Sequence, residues 1–429
     1  MTRLGAAPDE HAPPGVRVVL DARALQEPAR APLTAAYLDG LLGAFDAEPV
    51  AGESFAFLLA SDEDDPTARY ANLEVVGRRL LPPTRLLRST ALTIDPFVLR
   101  GASIGAGWHA ERGGASGAVF HAIGAGLPIA SGLPVVATLL DLAPWELPAI
   151  FQRAARARFG YRLRARLVRD AAAVIVGTDA VAVSARRLLH LRRDRIRVVA
   201  LAPRPAITLA SMDAAGAGVA AGRAAAARYG LSQRYFVYTG RYDARQDLAT
   251  LARALAALES GGRPAALPAE VGWPPRVLLL DATPDDRAAF ARILARHAIG
   301  DALAYAPRLP VAETVALIRG ARAALLPVLA DSNGLAAIEA IASGVPVIAS
   351  SVGALPEIVG TAGILVEPRD PERLAVALAA AWGDEVVHDR ISTAAATRSR
   401  GDGQPLRTWR DVAAEVRSIY AEVSRPGRL

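Results

Sequence analysis

Short, unbroken apolar runs alternate with helical stretches along the chain, and the series starts twice. In the first half the runs lie at 16–20, 55–59, 118–120, 135–139, 173–176 and 196–200. Runs without polar alternation suit strands buried on both faces, the condition of a parallel sheet. Helical segments between them, such as 32–45, supply the crossovers, so the pattern predicts a doubly wound α/β sheet. From 208 to 228 the chain turns rich in alanine and glycine, as a linker with a weakly determined helix would. The pattern then restarts with strands at 235–239, 276–280, 302–305 and 323–327 and helices at 247–258, 284–297 and 311–319. A chain of 429 residues is long enough for more than one core, and the expectation is two separate α/β sheets. The expected boundaries are a disordered tail 1–15, a first domain 16–207, a linker 208–233, a second domain 234–385 and a C-terminal segment 386–429.

Composition narrows the chemistry. There is no cysteine, so disulfides, thiolate metal sites and a cysteine nucleophile are excluded, and the histidines form no metal-spaced pair. The net charge of +6 permits contact with phosphates, nucleic acid or an anionic membrane surface without selecting one. All the basic residues are arginine, and they concentrate in 153–169, interleaved with Phe159, Tyr161, Leu163 and Leu167. That stretch reads either as a basic amphipathic helix resting peripherally on anionic lipid or as a solvated helix face whose arginine stems cover apolar surface. Nucleic-acid binding is not expected, because the basic residues form no recognisable module. The N-terminus lacks the apolar core of a signal peptide and no uncharged apolar stretch is long enough to span a bilayer, so the expected location is the cytoplasm.

The segment 325–368 carries the chemistry. It reads strand, loop, short helix, strand and glycine turn, and sets Asp331 and Glu339 eight positions apart around the helix start. Asn333 is a candidate N-cap, and Gly344 before Val345 and Pro346 is a C-terminal stop, so the helix is expected from Gly334 to Ser343. Leu335, Ile338 and Ala342 mark its apolar face, and Glu339 falls on the edge of that face. A carboxylate there needs a partner, either an arginine or donors such as ligand hydroxyls. A second signal is Gly240 at the end of strand 235–239, followed by Arg241, Arg245 and Gln246, where open α/β sheets place ligands.

These motifs resemble the nucleotide-sugar site of the retaining glycosyltransferases of family 4. The second acid of that family's pattern is matched by Glu339, the glycine after the helix by Gly344, and the Gly-x-x-Pro-Glu turn by Gly353, Pro356 and Glu357. Asp331 replaces a glutamate, Gln246 replaces a lysine, Leu140 replaces the histidine before Asp141, and 29–38 replaces the usual glycine loop. The resemblance implies a GT-B fold, with two Rossmann-like domains facing each other across a cleft and a last helix, anchored by Trp409, crossing back to the first domain.

It further implies that Glu339 holds the ribose, that Asp331, Asn333, Gly334 and Leu335 hold the donor sugar, and that Gly240, Arg241 and Arg245 hold the diphosphate. His121 and Asp141 would line the acceptor side. The implied activity is metal-independent retaining transfer of a hexose from a nucleoside-diphosphate sugar to a hydroxyl of a glycan or lipid-linked acceptor, with no further cofactor. Four changes toward less capable residues (the glycine loop, Leu140, Gln246 and Asp331) keep a second reading open: an impaired homologue that binds and scaffolds an active transferase.

Overall fold

The computed structural model describes residues 16–82, 96–100, 117–124, 126–208, 218–231, 234–240, 242–295, 299, 302–401 and 406–424. The expected tail 1–15 lies outside the described residues, as does Arg241. The first sheet contains β1 (Arg17–Asp21), β2 (Ser54–Ala60), β3 (Val75–Leu81), β4 (Ala118–Ile123), β5 (Val135–Thr138), β6 (Ala173–Val176) and β7 (Ile196–Val198). Their order is β3-β2-β1-β4-β5-β6-β7, and every pairing is parallel. The second sheet contains β8 (Phe236–Tyr238), β9 (Val277–Leu279), β10 (Leu303–Tyr305), β11 (Ala323–Leu326), β12 (Val347–Ser350) and β13 (Gly363–Val366). Its order is β10-β9-β8-β11-β12-β13, again all parallel.

Two α/β sheets are therefore present as expected, each doubly wound with its central strands buried on both faces. β3 has no counterpart in the sequence reading. It is an edge strand, with Val76, Gly77, Arg78, Arg79 and Leu80 all exposed, so it lacks the apolar run that marks the inner strands.

The last helix, Trp409–Val423, opens with a capping box between Thr408 and Asp411 and packs on the first sheet rather than the second. Its Val412, Val416, Ile419 and Tyr420 share a core with Tyr37, Phe45 and Phe55. The Trp409 indole N–H donates to the Pro203 carbonyl at 2.9 Å. A Cβ at Gly40 would lie 2.2 Å from the indole, so only glycine lets helix Pro32–Ala47 approach it. Arg417, on the same helix, pairs with buried Glu53.

The stretch 208–233 is not a free connector. Its helix Gly218–Ala227 lies against helix Val311–Gly320 of the second domain, where a Cβ at Gly222 would sit 2.0 Å from the Ala316 carbonyl oxygen. The Tyr235 hydroxyl donates to Leu317 O across the same contact.

Candidate functional site

The acid-bearing loop leaves β11 and enters helix Leu335–Ala342, one residue shorter at each end than expected. Gly334 stands at the N-cap with φ +61, a backbone conformation that favours glycine, and a Cβ there would lie 2.1 Å from Ile358 Cδ1, so that side chain would have to turn aside. Asp331 organises the turn before it: its Oδ1 accepts from the amides of Asn333 at 3.0 Å and Gly334 at 2.8 Å. Asn333 Oδ1 in turn accepts from the Leu335 amide at 2.9 Å; the N-cap is Gly334 rather than Asn333, so this side chain braces the turn before the helix instead of capping it. The Asp331 carbonyl accepts from Ala354 at 2.8 Å, and a Cβ on Gly353 would fall 1.8 Å from that oxygen.

Asp331 is half-buried, and desolvation pushes its pKa up; the amides of Gly334 and Asn333 counter this, the Asp141 charge adds to it, and Arg245 opposes it. Glu339 is only 7% exposed, and both its oxygens are engaged by Arg204: Nε to Oε1 at 2.6 Å and Nη2 to Oε2 at 2.9 Å. That hydrogen bond to Glu339 is also the main reason the Arg204 pKa is raised. Of the two partners open to Glu339 on sequence grounds, an arginine is thus the one present.

Arg245 follows β8. Its guanidinium is held by Asp243 and reaches across to Asp141 on the loop after β5. Gln246, at the position where the resemblance expects a lysine, accepts from the Tyr238 hydroxyl at 2.6 Å. Gly240 sits against this pair, since a Cβ there would meet the Tyr238 hydroxyl at 2.6 Å and Gln246 Oε1 at 3.0 Å.

Further polar contacts join the domains at the same place. The Leu142 amide donates to Ser332 Oγ at 2.9 Å, and Asn333 Nδ2 to the Leu140 carbonyl at 3.4 Å. Glu357 of the Pro-Glu turn accepts from the amides of Asp179 and Ala180, at the start of helix Asp179–Leu189 of the first domain. A carboxylate there complements the helix dipole.

Asp331, Asn333, Gly334, Arg245 and Asp141 are thus brought together where the carboxyl ends of the two sheets meet, with Glu339 on the next turns of the helix. His121 is not among them. It lies inside β4 rather than after it, is fully buried, and has Nδ1 2.6 Å from the Tyr420 hydroxyl and Nε2 2.7 Å from Thr138 Oγ1. Nδ1 therefore ties β4 to the last helix, and Nε2 ties it to β5. Leu140 is likewise buried, in the first-domain core.

The sequence reading also missed residues at this cleft. Ser332, Arg204 and the cross-domain role of Glu357 depend on contacts too distant in sequence for any local pattern, although Arg204 between Pro203 and Pro205 is a rigid setting that draws notice. Glu146 Oε2 is shut off from solvent and makes no hydrogen bond among the described residues. Burial, then the charges of Asp141 and Asp331, hold the Glu146 pKa above the usual carboxylate range. Thr239 Oγ1, at the end of β8, is similarly buried without a partner among the described residues.

The Arg-rich helix Ala155–Asp170 buries Leu167 and Val168 and presents Arg156, Arg158, Phe159, Arg162, Arg166 and Arg169 outward. Among the described residues no helix is long and apolar enough to cross a membrane.

Residues 233–384 match the family model described as glycosyl transferases group 1. Over 135 residues the chain is 33% identical to a glycogen synthase of Mycobacterium tuberculosis, a match covering 31% of this chain and 32% of that relative. The matched stretch therefore spans about a third of the curated relative's length. Across nearly the whole chain the fold is similar to sucrose-phosphate synthase from Thermosynechococcus elongatus, with TM-score 0.63, 18% identity, and coverage of 95% of this chain and 98% of that one. It is equally similar to HepE of Anabaena in complex with UDP and glucose, with TM-score 0.63, 13% identity, and coverage of 95% and 100%. Residues 233–384 are thus similar to group 1 glycosyl transferases, and the two-sheet architecture is the GT-B fold.

Proposed function

We propose that this protein is a glycosyltransferase that moves a hexose from a nucleoside-diphosphate sugar, with retention of configuration, to a hydroxyl of a glycan or lipid-linked acceptor. The observation that carries the reading is the convergence of Asp331, Asn333, Gly334 and Arg245 with Asp141 at the carboxyl ends of both sheets, within a domain matched by the group 1 model. That is where open α/β sheets bind ligands.

In this reading the Arg245 guanidinium, beside the Gly240 backbone, neutralises the diphosphate as charge builds on it during bond cleavage, which is the main catalytic contribution. Asp331 and the Asn333–Leu335 loop orient the donor sugar, and Glu339 receives the ribose hydroxyls. Asp141, on the opposite domain, borders the acceptor. The transfer needs no metal and no protein nucleophile, because the leaving diphosphate itself assists attack by the acceptor hydroxyl on the same face. The outward arginines and Phe159 of helix Ala155–Asp170 suit peripheral contact with an anionic membrane, where a lipid-linked acceptor is found.

A second reading is favoured by one observation. Arg204 takes both oxygens of Glu339, as a permanent structural pair would in a homologue that has given up turnover and serves as a scaffold. Calorimetric titration with UDP, GDP and ADP tests the donor site. Saturable binding to one of them, lost in Glu339→Ala while the fold is kept, is the expected result. Binding that is unchanged in Glu339→Ala removes Glu339 from the site.

A further inference from the structure

The carboxylate assigned to the ribose already has a partner, and that partner belongs to the other domain. Arg204 follows β7 and lies between two prolines, with the Pro203 carbonyl fixed by the Trp409 indole, so its backbone travels with the first domain. Its guanidinium meets Glu339 of the second domain fork to fork, at 2.6 and 2.9 Å, and its amide adds a longer contact at 3.3 Å. A vicinal diol would ask for the same two oxygens, and a buried carboxylate of this kind has little room for a second bidentate partner.

The two sides of the pair differ in freedom. The Glu339 side chain is 9% exposed and the Arg204 side chain 48%, so the guanidinium is the member able to leave.

We propose that Arg204 is a built-in competitor for the ribose-binding carboxylate: a nucleoside diphosphate must expel the guanidinium from Glu339, and the displaced, half-exposed side chain turns to solvent. The proposal rests on the donor-site reading given above. Nucleotide affinity is then the intrinsic affinity reduced by the fraction of molecules in which Glu339 is released. Because the pair joins the two domains, nucleotide binding also loosens one of the contacts that hold the cleft together.

The test is titration of wild type and Arg204→Ala with UDP, GDP and ADP, accompanied by thermal unfolding with and without the nucleotide that binds. Removing the competitor is expected to tighten binding about tenfold, as follows if roughly nine molecules in ten hold the pair closed. The nucleotide-induced rise in Tm is expected to be larger in the variant, because the diol then replaces the lost guanidinium, without which Glu339 keeps only the longer contact from the residue 204 amide. Should Arg204→Ala not fold, Arg204→Gln, which donates singly and carries no charge, is expected to show the same direction. Equal or weaker binding by both Arg204 variants overturns the competitor and leaves the donor site standing. Absence of binding by wild type and variants alike overturns the donor site, and the competitor with it.

Discussion

Arg245 of the second domain and Asp141 of the first, 104 residues apart in sequence, form an ion pair that bridges the loops leaving β8 and β5. Asp243 grips the same guanidinium from its own loop, so Arg245 is oriented from both sides of the cleft. Desolvation alone would lower its pKa, yet the hydrogen bond to Asp243 and the charges of Asp141, Asp243 and Asp331 raise it. A permanently charged, pre-oriented guanidinium at the mouth of β8 suits the diphosphate role proposed for it above.

Arg245→Leu is expected to weaken nucleoside-diphosphate binding by tenfold or more, in line with about 1.5–3 kcal/mol for a hydrogen bond to a charged group. Its Tm is expected to move little, because the pair with Asp141 is partly solvent-exposed. Calorimetry with thermal unfolding separates the two effects, and an unchanged affinity would take Arg245 out of the diphosphate site.

Gly353→Ala places a methyl 1.8 Å from the Asp331 carbonyl oxygen at a residue with φ +54. Backbone strain of this kind costs about 1–3 kcal/mol, and here the loop that presents Asp331 must shift to relieve it. The expected outcome is a lowered Tm together with weaker nucleotide binding. A variant with normal Tm and normal affinity would show that the Asp331 turn tolerates displacement.

Burial pushes His121 down from 6.5 to about 3. An unfolded chain therefore takes up a proton near pH 6.5 that the folded protein refuses until about pH 3. The contribution of His121 to stability is complete above pH 6.5 and is lost as pH falls through that window, by at most about 1.4 kcal/mol per pH unit. His121→Gln is expected to be less stable at neutral pH, where the contacts to Tyr420 and Thr138 are lost, but to decline less steeply between about pH 6 and pH 4. Carboxylates and His388 titrate in both proteins and drop out of the difference. Parallel stability curves would contradict a neutral, buried His121.

Much of the architecture was legible in the chain because the inner strands announce themselves. Runs such as 173–176 admit no polar residue, and the restart at 235 marks the second sheet. The acid loop was legible for a different reason: Asn333, Gly334 and Gly344 are the residues that caps and left-handed turns demand, and they bound the helix to within one position at each end. β3 was not legible, since an exposed edge strand carrying two arginines and a glycine lacks that apolar signature. His121 followed an apolar run that was ended three residues too soon; the strand continues to Ile123, and a tyrosine 299 residues further on supplies the partner that buries it. Arg204 is the same case for Glu339, with 135 residues between them. Local chemistry predicted that Glu339 needs a partner, and only the tertiary fold could say which.

The most direct test of transferase activity is release of nucleoside diphosphate from UDP-, GDP- and ADP-hexoses by wild type and Glu339→Ala, with the anomeric configuration of the released or transferred sugar read by NMR. Turnover of one donor, with retained configuration and loss of activity in Glu339→Ala, is the predicted result. Saturable binding of a nucleotide with no release from any of these donors would contradict it, and would identify the protein as a binding homologue in which the GT-B cleft has outlived its chemistry.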